Sequence, residues 1–223
     1  MLPLKKRWKI NLPLSEEAAR LLDGYPAVLR QILFNRGYTY PDDARRFLEA
    51  AELQGTDPFL LKGMPEAVDR LATALRNHEK IAIYGDYDAD GVTATALLVQ
   101  VIRDLRGEVL GYIPNRFDEG YGLNTEALDH LHDSGVHVVV TVDCGVRSLP
   151  EAEHASRIGL DLIISDHHHP SQELPIARAI INPKQPDDPY PEKNLAGVGL
   201  AYKLACALLS RKPEWEIDSQ TLA

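Results

Sequence analysis

Three short clusters hold the residue types and spacings able to do chemistry: Asp86-Tyr87-Asp88-Ala89-Asp90-Gly91, Asp143-Cys144-Gly145 and Asp166-His167-His168-His169. Each follows directly on an apolar run of strand length, and in open α/β sheets ligands bind beyond the carboxyl ends of the strands. Carboxylates and imidazoles gathered on one sheet edge repel one another or stay unsatisfied unless cations join them. Hard oxygen ligands with one or two imidazoles suit Mn²⁺ or Mg²⁺ better than a thiolate-seeking metal. Within the histidine triplet, one ring can bind metal while the next contacts phosphate or an attacking water.

Simpler readings of the same residues compete with this one. Asp86, Asp88, Asp90 and Gly91 match positions 1, 3, 5 and 6 of a calcium EF-hand loop, but position 12 is Leu97 rather than Glu, and the preceding IAIY is a strand run where that loop needs a helix. One aspartate, such as Asp90, capping the helix near Gly91 is ordinary, whereas three alternating aspartates exceed what a cap requires. Asp143 alone reads as turn chemistry, and its coincidence with the other clusters is what singles it out. Cys144 has no basic surroundings to lower its pKa and reads as a small buried residue rather than a nucleophile. His78, His130, His132, His137 and His154 lie away from this edge. Arg116, in PNRFDEGYGL, is the nearby cation with a phosphate-binding position, its rival role being an ion pair with Asp118 or Glu119.

The elements that must position these clusters are legible as alternating runs. Strands are expected at 81–86, 108–114, 136–143, 160–166 and 177–182, with helical periodicity at 66–80, 92–106, 124–132 and 150–159 between them. This alternation predicts a doubly wound, mostly parallel five-stranded α/β sheet. Residues 183–194 hold four prolines and read as an extended loop before the helix GLAYKLACALLSRK. Ahead of the sheet, SEEAARLL, PAVLRQILFNRG and PDDARRFLEA read as helices, the last with Pro41 at its first position. The expected division is a small helical accessory region at 1–65 and the α/β domain at 66–223.

Composition bounds the function. With 44% hydrophobic and 26% charged residues the chain is globular, and two cysteines make no disulfide scaffold. No stretch approaches the ~18 uninterrupted apolar residues of a membrane span, and the N-terminal MLPLKKRWKINLPL lacks an apolar core behind its basic cluster, so a cytoplasmic location is expected with no membrane partner. The net charge of −9 is uneven: +2 over residues 1–80 and −11 over 81–223. So acidic a domain is a poor bare phosphate binder, unless its carboxylates hold divalent cations.

Taken together, GDYDADG, TVDCG and SDHHHP resemble the first motifs of the DHH phosphoesterase superfamily, whose name is the triplet Asp166-His167-His168. DPFLLKGMPEAVDRL, IPNRFDEGYGL and INPKQPDDPYPEKNLAGVGLAYKL resemble its RecJ branch, over about residues 20 to 210. The resemblance implies a 5′ to 3′ exonuclease of single-stranded DNA working in recombination and repair with two ions of Mn²⁺ or Mg²⁺, fed by a helicase or a single-strand-binding protein. It makes Asp86, Asp88, Asp90, Asp143 and His167 metal ligands, with Asp143 bridging and catalytic. His168 assists at the phosphate, beside Arg116. The alternatives it leaves are a phosphodiesterase of short oligonucleotides or cyclic dinucleotides and a noncatalytic DHH-fold partner protein. Two departures stand out. Tyr84 occupies the place, four residues before Asp88, where many superfamily members carry a ligating histidine; and no convincing match to the family's later metal-binding aspartate follows Gly197-Val198-Gly199, Asp218 lacking its context. The chain is therefore expected to be a fragment of a longer protein.

Overall fold

A computed structural model describes residues 9–49, 56–115 and 122–211. The chain divides into two units, Met1–Thr56 and Asp57–Ala223, so residues 57–65 fall with the α/β unit rather than with the helical one.

In the first unit, α1 (Glu16–Leu21), α2 (Ala27–Asn35) and α3 (Pro41–Leu48) are short helices with local start signals. The Ser15 side chain accepts from the Ala18 amide at 3.2 Å to cap α1, and Pro41 opens α3. Leu22, Leu33 and Ala44 make a small core, with Tyr25, Leu29 and Tyr38 packed against it.

The second unit is built on five parallel strands, β1 (Lys80–Gly85), β2 (Val109–Tyr112), β3 (Val136–Val142), β4 (Asp161–Ser165) and β5 (Ala179–Ile181), in the order β2-β1-β3-β4-β5. The expected strands are thus all present, and the sheet is wholly parallel. Helices α4 (Met64–Arg76), α5 (Ala89–Asp104) and α8 (Gly197–Ser210) cover one face, and α6 (Thr125–Asp133) and α7 (Leu149–Ile158) the other. Val138 and Val140 pack toward the first group while Val139 packs toward the second. A strand buried on both sides is apolar nearly throughout, and β3 reads VHVVVTV, with His137 exposed near its start and the buried Thr141 hydroxyl donating to the Cys144 carbonyl. Each such fully buried aliphatic side chain contributes about 1.5–3 kcal/mol. Among the described residues no helix is long and apolar enough to cross a membrane.

The strand order reverses direction between β1 and β3, and such a switch point opens a crevice at the carboxyl ends of the strands. All three chemical clusters of the sequence end strands at or next to that crevice.

Candidate metal centre

The first cluster leaves β1 and becomes the start of α5. Asp88 is the N-cap: its Oδ1 accepts from the amides of Asp90 at 2.8 Å and Gly91 at 3.0 Å. These bonds, the one from Gly91 foremost, hold the Asp88 carboxyl below its usual range. Asp86 is buried, and burial raises its pKa. A side chain at Gly91 would place its Cβ 2.5 Å from the Asp86 carbonyl oxygen, so the tight entry into α5 requires glycine.

Asp143 ends β3 in the left-handed region, with φ at 63°, a conformation that aspartate tolerates better than most residues. Its side chain is 2% exposed. Desolvation by burial, then repulsion from Asp90, Asp88 and Asp166, pushes the carboxyl up to about 8. The His167 Nε2 lies 3.0 Å from Asp143 Oδ1, near enough for an ion pair but not aligned as a hydrogen bond, and that buried oxygen has no hydrogen-bond partner.

The third cluster leaves β4. Asp166, 2% exposed, accepts the Val146 amide on Oδ2 at 3.0 Å and the His168 amide on Oδ1 at 3.1 Å; the same Oδ1 lies 2.7 Å from His168 Nδ1. With Nδ1–H donated to this carboxylate, His168 presents Nε2 outward. His169 is exposed.

Among the described residues, two groups of three side chains place ligand atoms within 4.8 Å of one another: Asp86 with Asp88 and Asp143, and Asp143 with His167 and His168. Asp143 belongs to both. An orphaned buried carboxylate oxygen, a carboxyl raised by burial and then by like charges, and a donor set of oxygens and imidazoles fit hard divalent cations such as Mn²⁺ or Mg²⁺.

Asp90 stands outside both groups. Its Oδ2 accepts the Gly197 amide at 2.7 Å and its Oδ1 the Val198 amide at 2.6 Å, so it caps α8, although Oδ2 also lies 3.7 Å from His167 Nε2. A Cβ on Gly197 would sit 2.8 Å from Asp143 Cβ, and this residue must be small for α8 to close on the site. Tyr84 does not stand in for a ligating histidine. It is buried among the side chains of the α6 and α7 face, its hydroxyl 2.9 Å from the Gly122 carbonyl and 3.1 Å from Asn124 Nδ2. Cys144 is buried, and burial drives its thiol well up, away from thiolate chemistry. His154 pairs with Asp129 at 2.6 Å, away from the centre. Arg116, Asp118, Glu119 and Asp218 lie outside the described residues.

Sequence reasoning did not single out the orienting role of Asp166 or the contact of Gly197 with Asp143. The signal for the first was present, since a carboxylate two residues before a histidine at a strand end is placed to take its Nδ1–H. The second had no local signal.

The model of the DHH family N-terminal domain matches residues 80–223. The single-stranded-DNA-specific exonuclease RecJ of Bacillus subtilis (strain 168) is 44% identical over 98% of this chain and 28% of its own length. RecJ of Escherichia coli (strain K12) is 41% identical over 86% of this chain and 33% of its own length. The chain thus spans about a third or less of these relatives. A crystal structure of exonuclease RecJ bound to manganese superposes with a TM-score of 0.63 at 36% identity, over 68% of this chain and 38% of that one. RecJ in complex with Mn²⁺ from Thermus thermophilus gives 0.65 at 29% identity, over 88% and 27%.

Proposed function

The chain belongs to the DHH family, and on that premise we propose that it is the metal-binding part of a single-strand-specific DNA exonuclease that hydrolyses phosphodiester bonds from the 5′ end. The observation that carries this reading is Asp143, shared by both ligand groups with one buried oxygen left without a hydrogen bond. Relatives named as single-stranded-DNA-specific exonucleases support the substrate. RecJ structures holding Mn²⁺ support the cofactor.

In this reading Asp86, Asp88, Asp143 and His167 would hold two divalent cations, Asp143 being common to both ligand groups, with Asp90 of α5 beside them, bonded to the first amides of α8. When bound, such a pair of ions supplies the positive charge that activates a water for attack on phosphorus and stabilises the leaving oxygen. The chain's own residues do the rest. Asp143, whose carboxyl burial and then the neighbouring carboxylates push up to about 8, gives up its proton more readily as positive charge enters the site, and burial raises Asp86 in the same direction. His168, tied through Nδ1 to Asp166, keeps one ring orientation and turns Nε2 to a phosphate oxygen. By its place in the sequence Arg116 would be a second phosphate contact. Selection of unpaired bases would need a groove too narrow for duplex in which successive bases stack.

The helical region ahead of the α/β unit is an accessory to it. A helicase or a single-strand-binding protein is the class of partner that would present such a substrate. Cys144 and Cys206 are both free thiols, which fits the reducing cytoplasm.

The test is to incubate the protein encoded by the full reading frame with Mn²⁺ and single-stranded DNA labelled at either end, beside duplex DNA and a dinucleotide. Metal-dependent loss from the 5′ end of the single strand alone is expected. Preferred hydrolysis of the dinucleotide, or none of any substrate, overturns the reading.

A further inference from the structure

The histidine triplet is held from behind by residues that belong to none of the three clusters. Just past β5, Asn182 is wholly buried. Its Nδ2 donates to the His168 carbonyl at 2.8 Å, and its Oδ1 accepts the Lys184 amide at 2.8 Å. That second bond orders the turn so that Lys184 Nζ donates to the His167 carbonyl at 2.6 Å. Gln185 closes the turn, its amide donating to the Asn182 carbonyl at 3.1 Å and its Nε2 to the Ile180 carbonyl at 2.7 Å. On the outer side Arg147 Nε donates to the His169 carbonyl at 2.7 Å.

We propose that Asn182 and Lys184 are positioning residues of the metal centre, clamping the carbonyls of His167 and His168 so that His167 Nε2 stays beside Asp143 and His168 Nδ1 stays on Asp166. This rests on the metal reading given above. Fixing two successive carbonyls fixes the peptide planes on both sides of the His168 Cα, and with them the direction in which its side chain leaves the backbone; the first plane also borders the His167 Cα and leaves that residue one backbone rotation. The remaining freedom of the two rings is limited by Asp143, 3.0 Å from His167 Nε2, and by Asp166, 2.7 Å from His168 Nδ1. Without the clamp, the loop after β4 has to order itself on binding the ion, which weakens binding.

A pure charge effect has the opposite sign. A lysine ammonium near a cation site repels the cation, so neutralising Lys184 would tighten binding if charge were its whole role.

The experiment is Mn²⁺ titration by calorimetry on the full-length protein, with thermal unfolding in chelator as the control for fold. Lys184→Met is expected to weaken Mn²⁺ binding about tenfold or more, the scale of losses when groups that orient metal ligands are removed, in a protein that still unfolds cooperatively. Lys184→Arg, which keeps a donor on a long stem, recovers most of the affinity. Asn182→Ser weakens binding in the same direction, and Lys184→Gln replaces Lys184→Met should the latter not fold. Unchanged or tighter Mn²⁺ binding in the folded Lys184 variants overturns the clamp. Asp143→Ala separates the two ideas: binding lost in Asp143→Ala but intact in Lys184→Met sinks the clamp alone, whereas binding retained in Asp143→Ala sinks the metal reading and the clamp with it.

Discussion

Asp166 holds His168 twice with one oxygen: Oδ1 accepts the His168 backbone amide at 3.1 Å and lies 2.7 Å from its Nδ1. Backbone and ring are thereby locked to the same carboxylate, which is itself buried and anchored through Oδ2 to the Val146 amide. This pairing leaves Nε2 as the His168 ring nitrogen that Asp166 does not engage.

Asp166→Asn keeps the shape but removes the charge and puts an NH2 either against the Val146 amide donor or in place of the oxygen that accepts both His168 bonds, so the hold on Nδ1–H weakens. The expected result is a fall in kcat of about 10–100-fold with KM little changed. Steady-state kinetics on a single-stranded oligonucleotide across pH checks it. A variant with the parent kcat and pH profile would show that His168 needs no fixed orientation.

The metal-free protein should lose stability as pH rises. The Asp143 carboxyl is raised from 3.8 to about 8 by burial and neighbouring carboxylates, so between those values the folded state binds a proton that the unfolded chain has released. Stability from this group is full below about pH 4 and declines toward pH 8, with a slope of up to about 1.4 kcal/mol per pH unit. Urea unfolding in chelator at pH 5, 7 and 9 reads this directly. Asp143→Asn should flatten the decline, and Mn²⁺ should reverse it by binding the ionised form.

Asp90 joins the first cluster to α8, accepting the amides of Gly197 and Val198. Asp90→Ala leaves two helix N-terminal amides without their acceptor and should cost about 1–2 kcal/mol in chelator, the usual scale of a lost cap. Equilibrium unfolding measures it. A cost near zero would mean that water replaces the cap without loss.

Gly197→Ala tests how tightly α8 closes on the centre. Its Cβ would fall 2.8 Å from Asp143 Cβ and 2.9 Å from Asp143 Oδ1, so either the helix or the carboxylate must shift. The expected cost is about 1–3 kcal/mol of stability, together with weaker Mn²⁺ binding by calorimetry. Parent-like values for both would show that the helix start yields freely.

The strands and the acidic strand ends are readable from the chain alone. A strand covered on both faces is apolar nearly throughout, and the residue that leaves it toward a crevice is free to be charged, so a run such as VHVVVTV followed by Asp143 declares itself without any partner. Local helix starts are equally legible, as Ser15 and Pro41 show, because a cap or a first-turn proline acts within a few residues. Which aspartate caps which helix is not. By sequence Asp90 is a candidate cap for the helix at Gly91, yet Asp88 caps that helix, and Asp90 caps one whose start lies 107 residues on. The face taken by Tyr84 and the reach of Asn182 to His168 and of Lys184 to His167 likewise depend on strand order and register. Those contacts are settled where separate elements meet once the core has packed, because a side chain's hydrogen-bond partner across a fold leaves no periodicity in the chain around it.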